Sequence, residues 1–315
     1  MWRIATRRSA LARAQSQQVA DALAAATGRP AELVPLSTTG DDHPDRAVQA
    51  FDAKGLFVDG VRQAVLDAHA DCAVHSYKDL PTATAHGLVV AAVPRREDPR
   101  DLLVTRGGER LSTLRRGATV GTSSARRRAQ LQRARRDLLV QPLRGNLDTR
   151  LRRVADGDLD AVVVAVAGVR RLGPIQLDVQ AVALEHGECL HAPAQGALAI
   201  ECRDDDPDTR AALALVDDHD TRLAVRAERA LLAALEGGCT APIGAHAELT
   251  ADGLELLGML ADPTGTTLLR ASHRAGRHAG DELASVVADM LRARGGDAVL
   301  VRLAAARRRV PMGGP

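Results

Sequence analysis

Apolar positions along this chain fall into two alternating rhythms. Short, compact apolar runs predict strands at Arg3-Ile4-Ala5-Thr6, Glu32-Leu33-Val34-Pro35-Leu36, Cys72-Ala73-Val74-His75 and Leu88-Val89-Val90-Ala91-Ala92. Between them the spacing turns helical, from an N-cap at Ser9 to about Thr27 and again over about 57–68. Ser37-Thr38-Thr39-Gly40-Asp41 reads as a turn, and the charged Pro94-to-Pro99 stretch, closed by prolines, reads as a hinge.

Beyond the hinge the rhythm restarts. Strands are predicted at Leu102-Leu103-Val104, Ala118-Thr119-Val120-Gly121, Leu138-Leu139-Val140 and Ala161-Val162-Val163-Val164, with helices opening at Thr122-Ser123-Ser124 and Asn146. Strand–helix alternation of this kind predicts two α/β domains with mostly parallel sheets. The acidic Arg203-to-Pro207 stretch marks a further boundary, and from about 219 the pattern is helix, three alternating strands, helix. The expected organisation is domain 1 over 1–94 plus about 195–215, domain 2 over 100–192, and a small α+β domain over 219–315, with a frayed Arg307-Arg308-Arg309 tail.

Composition then narrows the class. The 42 basic and 40 acidic side chains nearly cancel, so the chain is not a polycation, and no apolar run is long enough to span a bilayer. Trp2, Phe51, Phe57 and Tyr77 are the only aromatic residues, too few for the stacking platforms of single-strand nucleic-acid binders. The four cysteines form no C-x-x-C pair and no secretory segment is evident, which points to a reduced, cytoplasmic protein; no paired Cys/His spacing suggests a metal. Cys72 and Cys202 lie in β-like apolar runs and read as core thiols. Cys239 differs. It follows a helical run and two glycines in Glu236-Gly237-Gly238-Cys239-Thr240-Ala241-Pro242, which presents its sulfur on an exposed loop. Locally, a chemical role and an incidental one both remain open.

Of the 42 basic residues only Lys54 and Lys78 are lysines. In so arginine-biased a chain, lysine marks places where a planar guanidinium does not serve. Two strand-to-helix turns, Thr6-Arg7-Arg8-Ser9 and Gly121-to-Arg128, and a third at Leu143-to-Arg150, combine free helix-start N–H groups with guanidiniums. Arg133, Arg135, Arg136, Arg152 and Arg153 read as a solvated face. Arg126, Arg127 and Arg144 sit where positive charge opposes the helix dipole, which points to a bound anion. No phosphate loop of the nucleotide-binding kinds is present, so a polycarboxylate is the expected ligand.

Taken together these segments resemble the porphobilinogen deaminase (hydroxymethylbilane synthase) family over nearly the whole chain. The matching runs include Arg3-to-Arg7 with Ser9, Lys54-to-Val58, Ala73-to-Ser76 with Lys78-Asp79, Arg96-to-Asp101, and Val120-to-Ser124 with Arg126-Arg127. They continue through Leu143-to-Asn146 with Thr149-Arg150, Ala165-to-Gly168 with Arg171-Leu172-Gly173, Gln195-Gly196-Ala197, and Glu228-Arg229 with Glu236-to-Cys239. The resemblance implies two periplasmic-binding-protein-like α/β domains flanking a cleft, and a small C-terminal α+β domain carrying the cofactor cysteine. It implies a transferase that condenses four porphobilinogen molecules, each losing ammonia, onto a dipyrromethane cofactor held by Cys239 through a thioether. Hydroxymethylbilane is then released.

Carried onto this sequence, the resemblance makes Asp79 the catalytic acid, protonating the departing amine and steering pyrrole N–H groups. It assigns Lys78, Arg126, Arg127, Arg150, Ser123, Thr122 and Gly145 to the cofactor. Arg7, Ser9, Arg144, Arg171, Phe57 and Gln195 go to the substrate and growing polypyrrole chain, with Lys54 and Phe57 on a mobile loop. A monomer with no metal, nucleic acid or membrane partner is implied. Asp52-Ala53, Asp59-Gly60-Val61, Tyr77 and Ala194 depart from the family's usual pattern. The competing reading is a non-catalytic solute-binding module, which needs no reactive thiol.

Overall fold

The computed structural model describes residues 1–36, 58–235 and 241–308. The Ser37–Asp41 turn, Lys54, Phe57 and Cys239 lie outside the described residues. Two compact units emerge among the described residues, residues 1–97 with 197–223, and residues 98–196 with 224–308.

The first unit is built on a five-stranded sheet. Its elements are β1 (Trp2–Arg7), α1 (Ala10–Thr27), β2 (Ala31–Leu36), α2 (Asp59–Leu66), β3 (Cys72–Ser76) and β4 (Leu88–Ala92). The chain returns later as β10 (Leu198–Arg203) and α6 (Pro207–Ala214). The strand order is β2-β1-β3-β10-β4. β1 pairs in parallel with β2 and β3, whereas β10 is antiparallel to both β3 and β4. Helix α1 starts where it does because the Ser9 side chain accepts from the Ala12 N–H, and ends at Gly28, whose φ of 68° closes the last turn. Trp2, Ile4, Val19, Leu23, Val74 and Ile200 fill the core on that face, and Val61, Val65 and Leu88 pack the other.

The second unit repeats the plan. It comprises β5 (Asp101–Thr105), β6 (Thr119–Gly121), α3 (Ala125–Ala134), β7 (Leu139–Gln141), α4 (Leu147–Ala155), β8 (Ala161–Ala165), α5 (Val166–Leu172) and β9 (Gln180–Leu184). The order β7-β6-β8-β5-β9 is the same topology, with β5 now the reversed strand, antiparallel to β8 and β9. The expectation of mostly parallel sheets therefore needs refining. Four strands of each sheet share a direction, but half the ladders are antiparallel because the strand reached by crossing from the other unit is inserted backwards. This three-layered, return-strand topology is that of periplasmic-binding-protein-like α/β domains.

The same unit carries a small antiparallel sheet of β11 (Ile243–Thr250), β12 (Gly253–Ala261) and β13 (Leu268–Ala275). It follows α7 (His219–Ala234) and precedes α8 (Gly280–Leu291) and α9 (Asp297–Arg308). Leu231, Leu235, Leu254, Leu256, Val287 and Leu291 form a core of their own. Gly258 is required there, since a Cβ would come within 2.8 Å of Leu231 and Val287. Gly265, with φ +72°, lies against the backbone of Ala129 in α3, so the small sheet rests on the second α/β layer. Three elements went unseen in sequence: α5, which continues β8 without a break, α6, whose start the acidic boundary concealed, and β9. The described chain also runs helical to Arg308, where fraying was expected from Arg307.

Candidate active site

In an α/β sheet, strand carboxyl ends are where helix N-termini and loops converge. In the first unit β1 and β3 are neighbours in register, Ala5 opposite Ala73, so their carboxyl ends lie side by side. β1 ends at Arg7, half-buried, and Ser9 caps α1 immediately after it. β3 ends at Ser76, whose hydroxyl donates to Gln15 of α1 at 3.0 Å, and a single helical turn of Tyr77, Lys78 and Asp79 follows. The structure thus brings Arg7, Ser9, Lys78 and Asp79 together at one sheet edge. The Asp79 side chain is exposed.

Beneath this edge lies a buried ion group. Glu201 of β10 accepts from Arg62 at 2.7 and 2.8 Å, and His75 lies 3.2 Å from the same carboxylate. Burial alone would raise the Glu201 carboxyl, but Arg62 and His75 outweigh it and hold it at about 2. The group fixes β10 against β3 and α2.

The second unit assembles the remaining candidates. Ser124 caps α3, accepting from the Arg127 N–H, and Asn146 caps α4, accepting from the Thr149 N–H. The Ser123 hydroxyl donates to the Leu143 carbonyl at 2.8 Å and accepts from its N–H at 2.9 Å, locking the β6–α3 turn to the β7–α4 turn. Thr122 is buried; its N–H donates to Gln141 and its hydroxyl accepts from the Ser124 N–H. Neither the Thr122 N–H nor the Ser123 hydroxyl points at a free acceptor site, because β6–β7 pairing and the turn itself consume them. Gly145 holds φ +99° between Arg144 and Asn146, and Arg171 donates to the Gly196 carbonyl at 2.7 Å.

Arg126 and Arg127 are buried, 4% and 6% exposed, and both grip Asp101, at 2.9 and 2.7 Å. Gln195 donates to the same carboxylate at 2.7 Å, and Arg126 and Arg127 also donate to the carbonyls of Leu190 and Val163. The premise that these helix-start cations want an anion holds, but a carboxylate within the fold meets part of that need. Burial would raise Asp101, yet the charges of Arg126 and Arg127, with hydrogen bonds from Arg127 and Gln195, hold it well below the carboxylate range. Cys189, 3.5 Å from Asp101, is pushed up to about 12 by burial and that carboxylate, so it stays a neutral thiol.

Sequence reasoning missed Asp101, Cys189 and Gln130, whose side-chain N–H donates to the Leu190 carbonyl at 3.0 Å, as members of this network. An aspartate opening the apolar run Asp101-Leu102-Leu103-Val104 was the available signal.

One carboxylate does not neutralise this cluster. Arg127 Nε is buried without an acceptor among the described residues. Arg150, half-buried, donates to the Gly145 carbonyl and has no carboxylate partner among the described residues. Burial and the Arg127 charge both lower its affinity for its proton. Three guanidiniums against one aspartate, with an orphaned N–H, is the donor set that a polycarboxylate group completes. The residues present fit a dipyrromethane bearing acetate and propionate side chains.

Fold and sites together define an α/β protein of periplasmic-binding-protein type, built in two units, with a guanidinium cluster at the strand ends of the second that one carboxylate does not neutralise. Residues 2–211 match the family described as "porphobilinogen deaminase, dipyromethane cofactor binding domain", and residues 222–293 match "porphobilinogen deaminase, C-terminal domain". Porphobilinogen deaminase 1 of Streptomyces coelicolor is 49% identical over 90% of this chain and 93% of its own. Porphobilinogen deaminase of Nocardia farcinica is 51% identical over 96% of this chain and 89% of its own. Among solved structures, the methionine-binding protein MetQ covers 70% of this chain and 91% of its own at 11% identity and TM-score 0.41, too distant to add to the argument. The chain belongs to the porphobilinogen deaminase family.

Proposed function

We propose that this chain is a hydroxymethylbilane synthase. It condenses four porphobilinogen molecules, one at a time and with loss of ammonia, onto a dipyrromethane primer anchored at Cys239. The observation that carries this reading is the under-neutralised cluster of Arg126, Arg127 and Arg150, which lies within the stretch matching the family's cofactor-binding domain. Each pyrrole unit brings two carboxylates, so a primer of two rings supplies the missing negative charge. Bound, the dipyrromethane offers a pyrrole carbon to which the next unit adds.

The work of the chain's own residues divides between the two sheet edges. Arg126 is held rigid by Asp101 and Leu190, and Arg127 by Asp101 and Val163, so the two guanidiniums keep one orientation without further ordering. Arg150 and Lys78 bind primer carboxylates, with the Ser123, Thr122 and Gly145 turns shaping the cradle. Arg7, Ser9, Arg144 and Arg171 take the carboxylates of incoming units, and Gln195 sets the position of Asp101. Asp79, exposed at the end of β3, hydrogen-bonds the departing amine and stabilises positive charge on the methylene carbon. Phe57 packs on a pyrrole ring. The protein acts as a monomer in the cytoplasm; no helix among the described residues is long and apolar enough to cross a membrane.

The test is turnover. Purified protein incubated with porphobilinogen is expected to release one ammonia per unit consumed and to yield a linear tetrapyrrole that cyclises spontaneously to a coloured porphyrin after oxidation. Substrate binding without ammonia release would favour the solute-binding alternative.

A further inference from the structure

Three histidines in the second unit meet where no reading of the sequence places a metal. His186 and His191 lie on the connection between β9 and β10, and His246 lies on β11, so the expectation of no metal spacing missed a cluster drawn from distant segments. One ligand nitrogen from each lies within 4.8 Å of the others, and the ring centroids are 4.0 to 5.3 Å apart. His191 is buried and the other two are half-buried. Its Nδ1 lies 2.9 Å from the Ala192 carbonyl, which only accepts, so Nδ1 carries the proton and Nε2 faces the cluster as a lone pair. His246 Nδ1 lies 3.0 Å from that Nε2 and donates to it. His186 Nε2 is buried and without a hydrogen-bond partner among the described residues.

We propose that His186, His191 and His246 form a site for one divalent transition-metal ion of the zinc class, with water as fourth ligand, pinning β11 to the β9–β10 connection. Several features support it. An orphaned buried imidazole nitrogen is costly unless something ligates it. The Ala192 carbonyl already orients His191 as an outer partner orients a zinc histidine. Tetrahedral zinc places its nitrogens about 3.4 Å apart, within reach of these rings by small rotations. Binding moves the His246 proton from Nδ1 to Nε2, where the Glu248 carboxylate, 3.7 Å away, receives it as a hydrogen bond. β11 already docks here, its Ala245 N–H donating to the His191 carbonyl at 3.1 Å, so the metal reinforces an existing contact.

Chelator-treated, full-length protein titrated with Co2+ is expected to take up one equivalent, showing the intense visible bands of a tetrahedral nitrogen-ligated site, displaced by Zn2+. Zn2+ is expected to raise the melting temperature. His186→Ala and His246→Ala are each expected to weaken uptake by more than about 100-fold, beyond the loss that an outer partner causes, whereas His69→Ala is expected to leave it unchanged. No stoichiometric uptake by the parent, or uptake indifferent to both substitutions, overturns the proposal. Zinc-edge absorption on the parent protein gives an answer that needs no variant. Three imidazoles support the site, and a sulfur-containing or all-oxygen shell overturns it.

Discussion

Asp101→Asn probes the second unit at its most charged buried point. The substitution keeps shape and volume but removes the one carboxylate that Arg126 and Arg127 share among the described residues. Both guanidiniums keep carbonyl acceptors, at Leu190 and Val163, so what is lost is mainly counter-charge. The Asn amide also turns one acceptor into a donor facing a donor. Stripping one partner from a buried ion group costs about 3–5 kcal/mol, and Asp101 is fully buried, so the full range applies. The assay matters. Trp2 and Tyr77 both lie in the first unit, so intrinsic fluorescence is blind to the second. Urea unfolding followed by circular dichroism, with hydrogen exchange of peptides from β5 and α3, reads the right region. The expected result is a loss of about 3–5 kcal/mol confined to the second unit, with protection falling in those peptides. Glu185→Gln, which removes an exposed partner of Arg100, is expected to cost under about 1 kcal/mol. An Asp101→Asn protein within about 1 kcal/mol of the parent would refute the view that this network holds the unit together.

Three further outcomes are expected. Asp79→Asn retains the cofactor in intact mass but loses most turnover; near-normal kcat would remove Asp79 from the chemistry. Arg150→Ala loses a charge-assisted contact of about 1.5–3 kcal/mol to the primer, so a larger share of the purified protein is expected at bare chain mass, without the dipyrromethane. The same substitution leaves stability unchanged or slightly higher, because Arg150 sits beside Arg127 without a carboxylate of its own. A stability loss with unchanged primer loading would make it structural. Glu201, held at about 2 against an ordinary value of 4.5, adds about 3 kcal/mol of stability, present above pH 4.5 and lost as pH falls towards 2. Glu201→Gln should flatten the acid side of the stability–pH curve; an unchanged curve contradicts that origin.

Much of the fold was legible because the signals were local. Ser9, Ser124 and Asn146 each stand one residue before a helix and cap it, and the apolar runs from Cys72 and Leu88 become β3 and β4. Elements were missed where the local signal was weak or masked. Helix α5 follows β8 with no breaker between Ala165 and Val166, and α6 begins with Asp206 and Pro207, an N-cap and first-turn proline that read equally well as a linker. Site residues were legible where family motifs and helix starts coincide, as at Arg126 and Arg127. Their partner Asp101 was not, since 25 residues and a reversed strand separate it from Arg126. The histidine cluster was beyond reach for the same reason, because only the packing of β11 on the β9–β10 connection unites its members.

The account centres on Cys239 as the permanent anchor of a primer whose carboxylates the arginines hold, and intact mass addresses that claim most directly. Native protein is expected to exceed its chain mass by one dipyrromethane, with the excess confined to the peptide containing Cys239, and Cys239→Ser is expected to abolish it. Protein at bare chain mass, still unmodified after incubation with porphobilinogen, would contradict the account.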